Sequence, residues 1–316
     1  MTKQIPLVCI VGPTASGKSS LAVELAGQFD AEIVSADSMQ IYRGMDVGTA
    51  KVTLEEMEGI PHHMVSVADP EESFSAARFQ QMADPIVEDI LRRGKTVILA
   101  GGTGLYVDAL VSGRTFAPYP ETGKRQELER EADEKGMEAM LLELQQVDPE
   151  TGARLHLADR KRILRALEVY RETGKPISQH NRETQAVPDK YQPIWIGLDY
   201  EDRKDLYDRI NLRVDLMLEQ GLLGEIKDLL DAGVPEQCTA MQAIGYKEFL
   251  PVLKGEGDLA SAVESVKQES RRYAKRQLTW FRRNGKVNWI YRKKDTEFSE
   301  ILQQALHYIP FFDKGV

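Results

Sequence analysis

The chain has 316 residues, two cysteines and a formal net charge of −9 at neutral pH. This length suffices for one or two domains with a large core, and the composition is that of a soluble globular protein. The charge argues against a nonspecific nucleic-acid binder, the isolated cysteines against a zinc or disulfide framework, and the absence of a long apolar run against a membrane protein. We expect a cytoplasmic protein without a signal peptide, because the first strand begins close to Met1.

The first segment carries the most specific motif in the chain. An apolar run at Leu7–Val11 predicts a strand, and an amphipathic run predicts a helix over Lys18–Phe29. Between them the chain reads as a P-loop, G-x-x-x-x-G-K-[ST], formed by Gly12, Pro13, Thr14, Ala15, Ser16, Gly17, Lys18 and Ser19. Such a loop directs backbone N–H groups, a helix N-terminus and a lysine at phosphate oxygens, and its serine hydroxyl suits Mg²⁺. The motif predicts a phosphate site but does not say which phosphates it binds.

The following segments alternate between strand and helix. Patterning predicts strands at 31–36 and 96–100, a helix at 74–93 with Pro85 inside it, and a short helix at 105–111. This alternation predicts an α/β fold with a parallel sheet, in which ligands gather at the carboxyl ends of the strands.

Two polar residues follow predicted strands and are therefore candidates for the site. Asp37 follows the second strand and is a candidate magnesium ligand or general base, although an aspartate there can also simply cap the next turn. Thr103 follows the third strand, where its hydroxyl can instead satisfy the backbone of a glycine-rich turn. Arg213, in a helix predicted from residue 209 to 219, is suited to bind a diphosphate bidentately, although the sequence alone does not distinguish it from an ordinary surface arginine.

Other chemistries are disfavoured by what the pattern lacks. The strand at 96–100 runs into Gly101 without the magnesium-binding aspartate that many phosphoryl-transferring P-loop enzymes carry there, which weakens a kinase or ATPase interpretation. His62 and His63 point in different directions on an extended chain and have no suitably spaced third ligand, so a metal site there is not expected.

The composition changes from about residue 117. Highly charged helical sequence continues to breaks at 174–176 and 187–189, after which 191–198 predicts a returning strand. We predict a helical insertion at 117–189 in an α/β core formed by 1–116 and 190–316. The remaining core sequence predicts mostly helix over 201–285 and a last strand at 287–291.

Two basic segments interrupt the acidic average. One contains Arg154, Arg160, Lys161, Arg162, Arg165 and Arg171, and the other runs from Arg271 to Lys294 without an acid. Each is either a solvated helix face or a local site for a polyanion. Tyr273, Trp280 and Phe281, interleaved in the second segment, make a nucleic-acid surface there a real alternative.

Several segments together resemble the bacterial tRNA dimethylallyltransferases over essentially the whole chain. They are the P-loop, SADSMQIYRGMDVGTAK at 35–51, PHH at 61–63, AGGTGLY at 100–106, KRILRALE at 161–168 and AIGYK at 243–247. The resemblance implies a P-loop NTPase-like α/β fold. It also implies transfer of the dimethylallyl group from dimethylallyl diphosphate to N6 of adenosine 37 in tRNA, with Mg²⁺ as cofactor and release of diphosphate.

The resemblance also implies roles for individual residues. Asp37 matches the general base, and Lys18, Thr103 and Arg213 match further catalytic positions. Thr14, Lys18, Ser19, Thr103 and Arg213 match positions that bind diphosphate or magnesium, with Ser19 the metal ligand. Contacts with tRNA are implied for Asp37, Ser38, Met39, Gln40 and Thr103, for Lys161, Arg162, Ile163, Leu164 and Arg165, and for Gln242, Ala243, Ile244, Gly245, Tyr246 and Lys247.

The partners implied are dimethylallyl diphosphate and the anticodon stem-loop of tRNA, which the insertion contacts. No membrane partner is implied, and we expect a monomer. Three alternatives remain: an isopentenyltransferase acting on free adenine nucleotides, a small-metabolite P-loop kinase, and a non-catalytic RNA-binding module. The basic segments favour a polymeric substrate over a free nucleotide.

Overall fold

The structure, a computed structural model, describes residues 7–113, 116, 122–186 and 188–309. Contacts divide the chain into two compact units, Met1–Val111 with Tyr191–Val316, and Ser112–Lys190. The boundary predicted between residues 116 and 117 adjoins residues outside the described ranges, as do the first six residues and part of the break at 187–189. In the described ranges, no helix is both long enough and apolar enough to cross a membrane.

Six strands of the described chain form one parallel sheet in the first unit. They are β1 (Leu7–Val11), β2 (Ala31–Ser35), β3 (His62–His63), β4 (Thr96–Gly101), β5 (Ile194–Tyr200) and β6 (Asn288–Arg292). Their order is β3-β2-β4-β1-β5-β6, with every neighbouring pair parallel. The predicted α/β class with a parallel sheet is confirmed. Since β4 lies between β1 and β2, the carboxyl ends of these three strands meet at one edge of the sheet.

The helices begin and end close to the predicted residues in the first third of the chain. In chain order they are α1 (Lys18–Phe29), α2 (Ala76–Arg92), α3 (Gly104–Ser112), α4 (Lys124–Val147), α5 (Pro149–Gly152), α6 (Arg160–Thr173), α7 (Ile177–Gln185), α8 (Arg203–Glu219), α9 (Leu222–Asp231), α10 (Leu250–Leu253), α11 (Leu259–Phe281) and α12 (Phe298–His307). Pro85 lies inside α2, which continues through it. The strand β3 and helix α12 were not predicted, and 232–249 is mostly turns where helix was expected.

The sheet owes its position to apolar residues on both faces of its strands. Every residue of β1 and β2 is buried, as is typical of strands in a parallel sheet that is covered on both faces. On one face, Leu21 and Leu25 of α1 and Ile301 of α12 pack in a cluster with strand residues such as Ile10. A second cluster joins the loop after β2 to α8, α9 and α11 through buried Tyr42, Tyr246 and Phe249.

The second unit contains α4 to α7. Its core is formed by apolar residues of α4 and α6, among them Leu128, Met140, Leu144, Ile163, Leu164 and Leu167. The helix α4 is interrupted at Gly136, whose φ of 80° is not helical. This core supports a compact helical unit without a strand of its own in the described residues.

Three glycines after β4 allow other backbone and side chains to approach closely. A Cβ atom on Gly101 would lie 2.2 Å from the carbonyl oxygen of Ala36, at the end of β2. One on Gly102 would lie 2.1 Å from Nε2 of Gln277, and one on Gly104 would lie 2.2 Å from Cδ1 of Trp280. The acid-free end of β4 is therefore a packing requirement, since no side chain at position 101 fits against β2.

We expect Gly101→Ala to lower the free energy of unfolding by about 2 kcal/mol or more. The added Cβ atom would clash with the backbone of Ala36, which cannot shift as a flexible side chain could. Urea unfolding followed by circular dichroism measures the change. Gly27→Ala is the matched control: position 27 lies in α1 with nothing within 4 Å of an added Cβ. It should stabilise the protein by about 0.5–1 kcal/mol. Equal stability of the two variants would contradict the packing argument.

Candidate active site

A cavity of about 400 Å³ opens where the carboxyl ends of β1, β2 and β4 meet. Its walls come from four parts of the first unit: the P-loop, the segment after β2, α8 with α11, and the turns at 242–247. Ile210, Val214, Met217 and Val266 give it an apolar side. Lys18, Asp37, Arg213 and Arg276 give it a charged one. The fold thus joins segments that lie up to about 260 residues apart in sequence.

The P-loop adopts a backbone that its glycines permit. Gly12 has a φ of 144°, and a Cβ atom there would lie 2.4 Å from the carbonyl oxygen of Leu198 in β5. Gly17 has a φ of 93° and precedes α1 without any side-chain cap. The first N–H groups of α1 therefore remain available to an anion. The hydroxyl of Ser16 is buried and has no hydrogen-bond partner among the described residues, which also fits a loop built around a ligand.

Lys18 and Arg213 are two cations that face the same cavity. Lys18 Nζ donates to the carbonyl oxygen of Pro13 at 2.6 Å, and Arg213 Nη2 donates to that of Thr49 at 3.1 Å. Burial, and next the charge of Arg213, lower the pKa of Lys18 to about 7, while Asp37 acts in the opposite direction. Burial likewise lowers the pKa of Arg213, again opposed by Asp37. The site therefore holds excess positive charge that a phosphate group would neutralise.

Asp37 begins the segment after β2. Its Oδ1 atom accepts hydrogen bonds from the backbone N–H groups of Met39, at 2.9 Å, and Gln40, at 3.3 Å. The turn-capping role considered from sequence is therefore present. The carboxylate also lines the cavity, so one oxygen caps while the other remains for a substrate.

Thr103 lies behind the cavity wall and supports it. Its hydroxyl accepts a hydrogen bond from the Ser38 backbone N–H at 3.0 Å and donates to Ser38 Oγ at 3.2 Å. It thus ties the turn after β4 to the segment after β2, as the backbone-satisfying interpretation expects. Gln40 lines the cavity, but its amide nitrogen already donates to the Ala50 carbonyl oxygen at 3.3 Å. If Gln40 contacts an adenine, its amide group would bind the adenine and the Ala50 carbonyl oxygen at the same time.

Two residues of α11 belong to the site although sequence reasoning did not place them there. Gln277 Oε1 accepts from the Thr14 backbone N–H at 2.8 Å, and its Nε2 donates to the Gly102 carbonyl oxygen at 3.0 Å. Gln277 thus fixes the P-loop against the end of β4. Tyr273 lines the cavity beside Asp37, and burial raises its pKa to about 12. In the sequence, the signal for these two residues was the helical period of α11, which places Tyr273 and Gln277 one turn apart on the same face of the helix.

The P-loop residues divide between two cavities. Thr14 and Lys18 line the first, whereas Ala15, Gly17 and Ser19 line a second cavity of about 650 Å³, and Arg213 lines both. No group of three or more His, Cys, Asp or Glu side chains in the described ranges is placed to hold a metal ion, His62 and His63 included. Ser19 is exposed at the start of α1. It suits a Mg²⁺ ion that takes its other oxygens from substrate phosphates and water.

The turns at 242–247 meet the site, but not all their side chains are exposed. Gln242, Ala243, Ile244, Gly245, Tyr246 and Lys247 all line the first cavity. Tyr246 is fully buried and Ala243 is nearly so. Gly245 has a φ of 92°, and its N–H donates to Glu248 Oε2 at 2.8 Å. Gln242 and Lys247 are the exposed side chains of this set. Both also line a third, shallow pocket, so they form the mouth of the first cavity.

The segment 161–165 has a mixed character. Ile163 and Leu164 are fully buried in the core of the helical unit, so direct side-chain contact with RNA, implied by the resemblance, has to be corrected for these two. Arg162 pairs with Asp159 at 3.3 Å, and Arg165 pairs with Glu168 at 2.8 Å. Lys161 is exposed, and within the described part of the chain its side chain has no ion-pair or hydrogen-bond partner.

The two basic segments are less free than their sequences indicate. Acids pair with many of the arginines. Those of α6 pair with acids of α4: Arg160 with Glu129 and Asp133, and Arg171 with Glu131 and Glu143. In the second segment, Arg271 and Arg272 pair with Glu264 and Glu269 of the same helix, and Arg282 pairs with Asp199 of β5. The interleaved aromatic residues are also engaged. Trp280 Nε1 donates to Asp108 at 2.9 Å, and Phe281 is buried. Trp280 and Phe281 therefore make contacts within the fold, while Tyr273 lines the first cavity.

The lowered pKa of Lys18 makes diphosphate binding depend on pH. Above about pH 7 the side-chain amine of Lys18 in the empty protein has lost its proton. A bound anion restores that proton because it favours the charged amine. Titration calorimetry with inorganic diphosphate at about pH 8.5, in two buffers of different ionisation enthalpy, should show uptake of up to about one proton per site. Lys18→Met, measured with the same ligand, should take up correspondingly fewer protons. Equal uptake by both proteins would contradict the assignment.

Comparison with known proteins gives one consistent result. The family model described as "IPP transferase" matches residues 40–284. A tRNA dimethylallyltransferase of Thermoanaerobacter sp. strain X514 is 45% identical over 307 residues, with 96% of this chain and 98% of that protein covered. The tRNA dimethylallyltransferase of Bacillus cytotoxicus is 48% identical, with 96% of this chain and 94% of that protein covered.

Solved structures show the same relationship. The crystal structure of the tRNA isopentenylpyrophosphate transferase from Bacillus halodurans has a TM-score of 0.73 at 42% identity, covering 98% of this chain and 97% of that one. A eukaryotic dimethylallyltransferase described as acting on tRNA has a TM-score of 0.82 at 32% identity, covering 98% of this chain and 80% of that one. With sequence, family model and fold in agreement, this chain belongs to the IPP transferase family.

Proposed function

We propose that this protein transfers the dimethylallyl group of dimethylallyl diphosphate to N6 of adenosine 37 in tRNA and releases diphosphate. The observation that carries the proposal is one cavity in which Asp37 faces Lys18 and Arg213. Such a site places a proton acceptor opposite an anion-binding group. Relatives with nearly full-length similarity are named for the same reaction on tRNA. We place the reaction in the cytoplasm, where tRNA is found, and keep the expectation of a monomer.

The cavity suits the three parts of this reaction. The diphosphate lies against the N-terminus of α1, with Lys18 and Arg213 stabilising the charge that develops on the leaving oxygen. The five-carbon group packs against the apolar side formed by Ile210, Val214 and Met217. The adenine, turned out of its stack, enters beside Asp37. Because an allylic carbon can bear positive charge, stabilising the leaving group lowers much of the barrier.

The bond changes follow from this arrangement. The N6 nitrogen of adenosine forms a bond to C1 of the dimethylallyl group as the bond between C1 and the diphosphate oxygen breaks. The nitrogen then carries an extra proton, which Asp37 accepts through the carboxylate oxygen that does not cap the turn. When bound, Mg²⁺ supplies additional stabilisation of phosphate charge, and Ser19 with the phosphates themselves would hold it.

The alternatives fit the molecule less well. A P-loop kinase commonly needs a magnesium-binding acid where this chain has Gly101, and the packing of β2 against β4 leaves no room for one. A transferase for free adenine nucleotides has no use for a cavity mouth formed by the 242–247 turns or for exposed lysines on the helical unit. We propose that this unit, Ser112–Lys190, contacts the tRNA, with Lys161 among its contacts.

Incubation with labelled dimethylallyl diphosphate and either unmodified tRNA, AMP, or a metabolite mixture with ATP tests the function directly. Label at adenosine 37 of the tRNA is the expected result. Label in AMP but not in tRNA would establish the nucleotide alternative. Phosphorylated metabolites without any prenylated product would establish the kinase alternative.

Asp37→Asn tests the general base. The variant keeps an oxygen that can cap Met39 and Gln40 but lacks a basic carboxylate, so kcat should fall on the order of 10²- to 10⁴-fold. The Kd for tRNA, measured by filter binding, should change less than about twofold, since phosphate contacts dominate such affinities. A variant with near-normal kcat would remove Asp37 from the chemistry.

The salt dependence of tRNA binding tests which lysines contact phosphate. Lys161 in α6 and Lys275 in α11 are both exposed and lack an ion-pair partner in the described ranges. Lys161→Ala and Lys275→Ala should each reduce the slope of log Kd against log salt by about 0.7–0.9. Lys227→Ala is the matched control, because this exposed lysine pairs with Asp231 in α9. An unchanged slope in a test variant would exclude that lysine from the interface.

A further inference from the structure

We propose that Glu225 is a positioning residue for this reaction: it fixes the loop at 46–50, whose carbonyl oxygens in turn hold Arg213 and Gln40 in the cavity. The effect of Glu225 on catalysis rests on the proposed function. Its structural part, the control of the anion site by Glu225, is measurable without tRNA. Glu225 does not itself line the cavity.

The first step is the contact between Glu225 and the loop backbone. Glu225 lies in the first turn of α9. Its Oε2 atom accepts from the N–H groups of Asp46, at 2.7 Å, and Val47, at 2.6 Å, and its Oε1 atom accepts from that of Gly48 at 3.0 Å. Three consecutive backbone N–H groups are thus bound by one carboxylate. Hydrogen bonds to a charged acceptor are about twice as strong as neutral ones, so this is a firm attachment across about 180 residues of sequence.

The second step runs from the loop to the site. The carbonyl oxygen of Thr49, the residue after the three N–H donors, accepts from Arg213 Nη2 at 3.1 Å. The carbonyl oxygen of Ala50 accepts from Gln40 Nε2 at 3.3 Å. Both side chains are long and flexible, and each would lose several rotamers to reach the same place without these acceptors. The position of the loop therefore sets the position of the Arg213 guanidinium and of the Gln40 amide.

The third step connects Glu225 to a second segment that lines the cavity. Tyr246, in the turns at 242–247, donates from its hydroxyl to Glu225 Oε1 at 2.6 Å. A Cβ atom on Gly48 would lie 2.5 Å from the Tyr246 ring, so glycine at position 48 allows the ring to pack directly on the loop. One carboxylate consequently holds both the loop and the turns, and both segments line the cavity.

A carboxylate is the only natural side-chain group that satisfies all four donors. Each oxygen accepts two hydrogen bonds, and an amide offers only one accepting oxygen. In Glu225→Gln the NH₂ group would face two donors, either the N–H groups of Asp46 and Val47 or that of Gly48 and the Tyr246 hydroxyl. The variant keeps the size of the side chain and removes half of its function as an acceptor.

The test compares three variants of the full chain. Glu225→Gln should weaken the binding of inorganic diphosphate about tenfold, because Arg213 loses its fixed position, and should lower kcat/KM for dimethylallyl diphosphate by at least as much. Tyr246→Phe removes only the contact with the turns and should weaken diphosphate binding less. Asp231→Asn, an exposed residue in the same helix paired with Lys227, should match the wild type in both measurements.

A merely structural role would give a different pattern. It would lower Tm and the fraction of active protein while the folded molecules bound diphosphate with wild-type Kd. The positioning role predicts a raised Kd for diphosphate at temperatures well below Tm, with the Kd for tRNA within about twofold of wild type. Wild-type diphosphate affinity in Glu225→Gln would overturn the inference. If the wild-type protein did not modify tRNA at all, the proposed function would fail, while the diphosphate measurement would still decide the role of Glu225.

Discussion

The site depends on an imbalance of charge in a confined space. Of the described side chains that line the first cavity, Lys18, Arg213, Lys247 and Arg276 are basic and only Asp37 is acidic. The charge of Arg213 disfavours that of Lys18, and burial disfavours both charges. An anion with two or more charges relieves this repulsion, so the empty protein is already arranged for a diphosphate. In the proposed reaction the lone acid, Asp37, has a separate use, since it accepts the proton that the adenosine nitrogen loses.

Keeping two repelling cations close requires a rigid frame. The glycines after β4 allow β2 and α11 to approach so closely that Gln277 can bond both the P-loop and Gly102. On the other side, Glu225 binds three backbone N–H groups of the loop that holds Arg213. These contacts are far apart in the chain but act on the same cavity.

Sequence reasoning succeeded where the physical signal is local. The bounds of β1 and α1 were predicted to the residue, because an apolar run and an amphipathic run flank a glycine-rich turn. It failed where the signal is short or depends on distant partners. The strand β3 has only two residues, His62 and His63, and owes its existence to pairing with β2. The first basic segment looked free because the acidic partners of its arginines, such as Glu131 for Arg171, lie on another helix.

The sequence by itself determined the strand–turn–helix of β1 and α1, the parallel sheet and, through several motifs together, the family, since these follow from the local pattern of residue types. Only the tertiary structure decided which side chains share the cavity. Gln277 and Glu225 carry no local pattern, and their importance arises from hydrogen bonds to segments about 180 to 260 residues away. Ile163 and Leu164 stand in a motif beside Lys161 yet are buried in a core. Burial and partner choice are properties of packing, which a chain acquires only when its distant parts meet.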